Sequence, residues 1–441
     1  MSERRVSDDT LQERVYLALT SEDDGRVCRD IPDSACNHQP RNFLIHVVSL
    51  GATKTGDGLV DPKLVLSWLL GALGAPAAAI GMLVPVREAG ALLPQLFTAA
   101  AIRRLPRRKW MWAAGSLGQG LSLFAMAAAA TMLDGHDAGW TIVALLALFA
   151  VCRSVCSVAY KDVLGKTVSK ATRGTATGTA GTIGAVSVFL FGGLLSLGIL
   201  DKSVTVICAA LVVGGILWIG AAILFSTLRE EAGATEGGGN PVTVVRDQVG
   251  LLRDDPQLVR FIATRGLLIA TALAPPYMLA MAGRESGGGL GALGPYILAS
   301  AFAAMSSTYL WGRLSDRSSR KVLALSGVVG AVSLAATAVL GYSDGAWLRN
   351  DYVLPALLFI LMMAYQGVRL GRSTHLVDMA DADKRAAYTA LSNTIIGVLL
   401  IAGGVFGIIA SLAGEAAVLA LFSAMCLGAV VTALGLAEVQ E

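Results

Sequence analysis

Charge is scarce in this chain. Asp, Glu, Lys and Arg make up 15% of its 441 residues, where an ordinary soluble domain carries about 25%. That excludes a large solvated surface. Cysteine is scarce too: there are six, with no CxxC spacing, which removes the usual signature of a structural zinc site. Cys28, Cys36 and His38 read either as metal ligands or as incidental groups of a polar tail, and Cys152 and Cys156 as packing residues one helical turn apart. There is no GxxxxGK[ST] loop, so ATP is not expected to drive the protein. No catalytic constellation stands out, and neither enzymatic activity nor a cofactor or metal is expected. No alternation of apolar and polar residues marks a membrane β-barrel. A cleavable signal peptide is not expected, since "MSERRVSDDT" opens a polar tail and "FLIHVVSL" is too short for an h-region.

What is present is apolar. Hydrophobic residues reach 54%. A spanning helix needs about 20 of them, because each residue rises about 1.5 Å through a hydrocarbon core about 30 Å thick. Twelve stretches meet that need: 62–86, 87–102, 110–133, 139–160, 177–200, 203–227, 258–283, 290–311, 322–342, 352–371, 389–413 and 417–437. The expected fold class is an all-α integral membrane protein with twelve transmembrane helices. Basic residues test the count. With the N-terminus inside, 29 Lys and Arg fall on the inner side and four (Arg87, Lys202, Arg284, Arg349) outside. This predicts a multi-pass protein of the cell (inner or plasma) membrane with both termini cytoplasmic. The same orientation accounts for the net charge of +3, so no nucleic-acid partner is expected.

A shift of 212 residues superposes two basic loops. It carries Arg108 and Lys109 of "AIRRLPRRK" onto Arg320 and Lys321 of "GRLSDRSSRK", and Arg173 of "KATRGTATG" onto Arg385 of "ADKRAAYTA". Duplicated halves are common in large transport proteins. The expected organisation is a cytoplasmic tail over 1–61, a six-helix bundle over 62–227, a central cytoplasmic loop over 228–257 and a second six-helix bundle over 258–437. In that loop Val242, Val245, Val249 and Leu252 recur at helical spacing, which fits a short interfacial helix.

At "GRLSDRSSRK" the chain resembles the major facilitator superfamily, whose loop signature is G-x-L-x-D-R-x-x-R-K. Gly312, Leu314, Asp316, Arg317, Arg320 and Lys321 match it, with Ser319 in place of a glycine. The counterpart loop keeps only Arg108 and Lys109. The resemblance covers about residues 62–437 and implies two six-helix bundles with this loop as a gating motif. Gly312 is expected to let a helix end approach its neighbour. Asp316 is expected to hold the cytoplasmic ends together, and Arg317, Arg320 and Lys321 to anchor at lipid headgroups.

Ionisable side chains in a span are functional candidates, though an Arg near a helix end can instead snorkel to the surface. Two arginines are embedded, Arg153 and Arg265. The resemblance adds weight to Arg153, since the family often carries an Arg in its fourth helix. No Asp or Glu is expected deep in a span. A positive cavity follows, and with it a lean towards an anionic or carboxylate-bearing solute. Gln119, Gln366 and Asn393 join the two arginines as candidate substrate-binding residues, with helix-to-helix packing as the alternative for each. The stretch "SLGATKTGDGLVDPK" carries Gly51, Gly56, Gly58, Asp57 and Asp61 and reads as a loose lead-in. Pro275 and Pro276 predict a kink.

These expectations converge on a monomeric secondary active permease that moves a small organic solute through the lipid bilayer by alternating access. The coupling ion, H+ or Na+, stays open. The rival reading is a non-transporting relative that serves as an assembly factor or sensor.

Overall fold

The protein was analysed as a computed structural model, which describes residues 11–20, 36–95, 98, 102, 104–233, 250–285, 293–315, 317–343, 350–380 and 385–439. Short helix α1 (Leu11–Thr20) precedes α2 (Gln39–Leu59), α3 (Val65–Ala72) and α4 (Ala77–Leu92). Four long helices complete the first half: α5 (Lys109–Met132), α6 (Gly135–Thr167), α7 (Lys170–Ser196) and α8 (Val204–Ser226). The second half begins with α9 (Pro256–Leu268) and α10 (Pro275–Glu285), followed by α11 (Leu293–Ser315), α12 (Ser319–Tyr342) and α13 (Val353–Met379). It ends with α14 (Arg385–Ala402), α15 (Val405–Ala413) and α16 (Glu415–Leu434). Among the described residues there is no strand, and nine helices are long and apolar enough to cross a membrane.

Local chemistry sets the helix ends. Asp255 caps α9 by accepting from the backbone N–H of Gln257 and Leu258, with Pro256 at the first helical position, where its missing N–H costs nothing. Ser318 caps α12 by accepting from the N–H of Lys321. The expected break at Pro275 and Pro276 falls at the start of α10, after a short helical turn Ala270–Leu273 that follows α9.

The first two expected spans, 62–86 and 87–102, are corrected. Gly74 adopts φ +72°, a left-handed conformation that ends a helix, and Pro76 caps α4. That turn splits 62–86, while the expected boundary at 86/87 falls inside α4. The chain upstream compensates. Residues 39–59, expected in the tail, form α2, packed along α7 and α8. Phe43 and Val47 are buried there. Its polar inner face lowered its hydropathy, so it escaped a count based on apolar runs. Most of the expected interfacial helix of the central loop lies outside the described residues.

In the first half α5 packs on α6 and α8; in the second, α12 packs on α13 and α16. The halves meet along α7–α11, α4–α14 and α4–α15. These meetings include close contacts at the end opposite the basic loops, called the far end below. A Cβ on Gly294 would stand 2.6 Å from the Ser196 backbone nitrogen, and one on Gly407 3.0 Å from Ala78 Cα.

The 212-residue repeat is visible atom by atom. Arg173 donates to the carbonyls of Gly165 and Val168, and Arg385 to those of Val377 and Ala380. Each arginine therefore reaches eight and five residues back to close the end of the preceding helix.

Candidate functional site

The break between α2 and α3 builds the site. Asp61 Oδ1 accepts from the N–H of Lys63 (2.8 Å) and Leu64 (3.2 Å), and so starts α3. Pro62 lacks the N–H that a continuous helix would use. Just upstream, glycines bring α2 close to its neighbours: a Cβ on Gly56 would stand 2.9 Å from Trp218 Nε1. Unwound backbone at membrane depth is tolerated only where protein or a cavity satisfies it, and such breaks mark binding sites in transport proteins.

Charged side chains gather around this break. Asp57 accepts from Arg87 of α4 at 3.1 Å and from Arg153 of α6. The guanidinium groups also lie over aromatic rings, Arg87 at 5.1 Å from Phe149 and Arg153 at 5.5 Å from Trp218. Lys63 donates to the Tyr365 hydroxyl of α13 (3.2 Å) and lies 3.7 Å from Glu88 of α4. The Lys63–Tyr365 bond joins the two halves. Arg87, Arg369 and Arg372 act electrostatically on Glu88, and Arg153 and Arg369 on Lys54. Unpaired charges would be costly here, and pairing offsets that cost.

Arg265 stands on the second-half side. It is 6% exposed and donates to Ser392 Oγ (2.7 Å) and Asn393 Oδ1 (2.8 Å). Gln366 accepts from Arg369 at 3.4 Å.

Beside Arg153 lies a cavity of about 180 Å³, lined by Lys54, Ser157, Tyr160, Lys161 and Trp218 among others. The Tyr160 hydroxyl and Trp218 Nε1–H are buried without a partner among the described residues. Three cations and two spare donors are the complement of an anionic group.

The structure thus places Arg153 at the break, with Gln366 and Arg369 beside Tyr365 on α13, while Arg265 and Asn393 form a separate pair in the second half. It does not bring Gln119 to the break. Gln119 is fully buried between α5 and α6 and donates to Gly115 O and Cys156 Sγ at 3.3 Å each. Two carboxylates that the expectation set aside are ion-paired at this break: Asp57, near the end of α2, and Glu88 of α4. Missed altogether were Lys54, Asp57, Asp61, Lys63, Arg87, Glu88 and Tyr365. The available signal was "TGDGLVDPK", glycines and a proline interrupting a moderately apolar segment.

The Major Facilitator Superfamily model matches residues 52–404. The chain belongs to the major facilitator superfamily. No curated protein matches it significantly. Solved structures of superfamily-like fold do. A point mutant of the nucleoside transporter NupG superposes with TM-score 0.71 at 13% identity, covering 90% of this chain and 99% of that one. A POT family transporter in complex with 5-aminolevulinic acid gives 0.69 at 8%, covering 90% and 96%. At such identities the likeness speaks for the fold alone.

The superfamily loop motif is placed differently from expectation. Among the described residues, a Cβ on Gly312 would meet nothing within 4 Å. Asp316 lies outside the described residues. Arg317 is exposed. Arg320, expected at headgroups, pairs with Glu438 (3.0 Å) and donates to Leu436 O (3.0 Å). Lys321 contributes its backbone N–H to the Ser318 cap (3.3 Å). His38 sits 2.7 Å from Arg229, Cys36 is disulfide-bonded, and Cys28 falls outside the described residues. No group of His, Cys, Asp or Glu suited to a metal occurs among the described residues.

Proposed function

We propose that this superfamily member is a secondary active transporter that moves a small organic anion by alternating access, with the broken-helix site as its binding site. The carrying observation is the surplus of cations around the break. Lys54, Lys63, Arg87, Arg153, Arg369 and Arg372 face only three carboxylates. Of these Asp57 and Glu88 are ion-paired and Asp61 caps backbone. A carboxylate on the solute takes up the excess charge and the spare donors of Tyr160 and Trp218.

One structural neighbour, a POT family transporter, is in complex with 5-aminolevulinic acid, a carboxylic acid; that chemical class suits this site better than an uncharged solute. The close far-end packing supports a state shut there and open towards the basic end. We place the basic end and both termini in the cytoplasm. Asp57 and Glu88 supply carboxylates through which H+ or Na+ coupling can act.

Purified protein in liposomes tests the reading. Labelled small carboxylates, 5-aminolevulinic acid first, are expected to enter, with a loss of about tenfold or more, roughly 1.4 kcal/mol, in Arg153→Ala. No flux of any carboxylate, together with a stable protein partner that co-purifies, would instead support an assembly factor or sensor.

A further inference from the structure

At the basic end, two cations converge on the last carbonyls of α8. Lys109, at the start of α5, donates its ammonium to Ser226 O (2.8 Å) and Leu228 O (2.7 Å). Arg41, near the start of α2, reaches the carbonyl between them, Thr227 O, at 3.5 Å. That bond is long for a hydrogen bond, and a guanidinium carries five donors. Arg41 makes no ion pair among the described residues. Glu230 is turned inward: its side chain is fully buried and accepts from the N–H of Arg108 and Lys109. Arg107 and Arg229 are exposed at the same end.

An apolar groove runs on from Arg41. Arg41, Leu44, Ile45 and Val48 fall on one face of α2 and meet Leu224 and Thr227 of α8 across a cavity of about 290 Å³. Val48 is 52% exposed and Ile223, beside Leu224, is 65% exposed, so the groove lies on the outside of the bundle. Trp110 is exposed with Lys109 Nζ 4.9 Å above its ring, and such a residue marks the membrane–water interface. From Arg41 to Val48 the helix advances about 10 Å. The polar zone of a leaflet is only roughly 5–7 Å deep, so a groove that opens at the interface has its floor among acyl chains.

We propose that this groove seats one anionic phospholipid, with its phosphate on Arg41 and Lys109 and an acyl chain along Leu44, Ile45 and Val48. Charge complementarity selects the headgroup, and the apolar stripe selects a lipid over a free anion. Bound there, the lipid braces α2, the helix that leads into the break, against α8. Capping is the plainer role for Arg41, since Arg260 near the start of α9 likewise donates to Gly435 O at the end of α16. A cap stabilises the fold without any preference among headgroups. The site shares no residue with the charged groups around the break and stands independently of the transport reading.

The purified, delipidated full chain in detergent is titrated with phosphatidylglycerol, with phosphatidylcholine of the same chains, and with glycerol 3-phosphate, and the thermal unfolding midpoint is read. Phosphatidylglycerol is expected to raise the midpoint saturably, phosphatidylcholine much less, and glycerol 3-phosphate not at all. Arg41→Ala lowers the apparent affinity for phosphatidylglycerol about fivefold, as for one basic residue at an anionic surface, and Arg41→Lys keeps part of it. Arg317→Ala, at an exposed position on the basic end of the other half, changes it less. Val48→Phe fills the groove, leaves Arg41 in place and weakens both phospholipids. Equal responses of the unsubstituted protein to the two phospholipids, or a response to glycerol 3-phosphate as strong as to phosphatidylglycerol, overturn the proposal. So does a headgroup preference that survives Arg41→Ala, or an equal loss in Arg317→Ala, which reduces the effect to general attraction. If Arg41→Ala does not fold, an affinity for phosphatidylglycerol unchanged in Val48→Phe overturns it equally.

Discussion

The two halves close their basic ends alike and fill their centres differently. In the first half Glu230, four residues beyond the end of α8, accepts the backbone N–H of Arg108 (3.0 Å) and Lys109 (2.8 Å) at the start of α5. In the second half Glu438, four residues beyond the end of α16, accepts from Ser318 Oγ (2.7 Å) and Arg320 (3.0 Å) at the start of α12. A carboxylate thus clips the last helix of each half to the N-terminus of α5 or α12, where the helix dipole favours negative charge. At the centre the likeness ends. The first half pairs Asp57 with two arginines, whereas the second holds Arg265 with a hydroxyl and an amide. The likeness lies in what shapes the bundle ends, and the difference in how the interior charge is paired.

The largest test of that contrast is Asp57→Asn. It strands Arg87 and Arg153, and removing one partner of a fully buried pair costs about 3–5 kcal/mol. With Asp57 21% exposed, about 2 kcal/mol is expected, together with loss of uptake. Arg265→Ala should cost less than half as much, since its partners are neutral. Thermal unfolding of both variants in detergent decides, and equal losses would erase the distinction between the two centres.

The end clips come next. Glu230→Gln should cost about 1–2 kcal/mol, as for other lost caps, because the Glu230 side chain is fully buried. Glu438→Gln should cost about 0.5 kcal/mol, because the pair it breaks is more exposed. A larger effect at Glu438 would reverse the ranking. Arg173→Ala and Arg385→Ala should each cost about 1 kcal/mol, the net worth of such hydrogen bonds. They probe the repeat directly: if one unfolds the protein and the other is silent, the shared carbonyl contacts are incidental. The smallest effect belongs to Gly312→Ala, expected to stabilise α11 by roughly 0.5–1 kcal/mol without changing uptake. Lost uptake there would show that Gly312 makes a close contact in another state of the cycle.

Legibility in the sequence followed the physics of each feature. The 212-residue shift needed only basic residues at fixed spacing, and Arg173 and Arg385 each donate to the carbonyls five and eight residues back. The long apolar helices were legible because hydropathy averages over a whole span. Helix α2 was not, since Lys54 and Asp57 dilute its average, although Asp57 is ion-paired within the protein and Lys54 lines the cavity beside Arg153. The error then spread to function: with α2 read as a tail, the carboxylates at Asp57 and Glu88 vanished from the interior.

The sequence by itself determined a many-helix membrane protein with its basic loops on one side. Insertion energy depends on composition along the chain, and orientation on charge counts between spans. Only the tertiary structure decided which polar residues share a site. Asp57, Arg87 and Arg153 come from three separate helices, and Lys63 meets Tyr365 across 302 residues of chain. Pairing of charge in a low-dielectric interior depends on distance in space, which no spacing along the chain encodes.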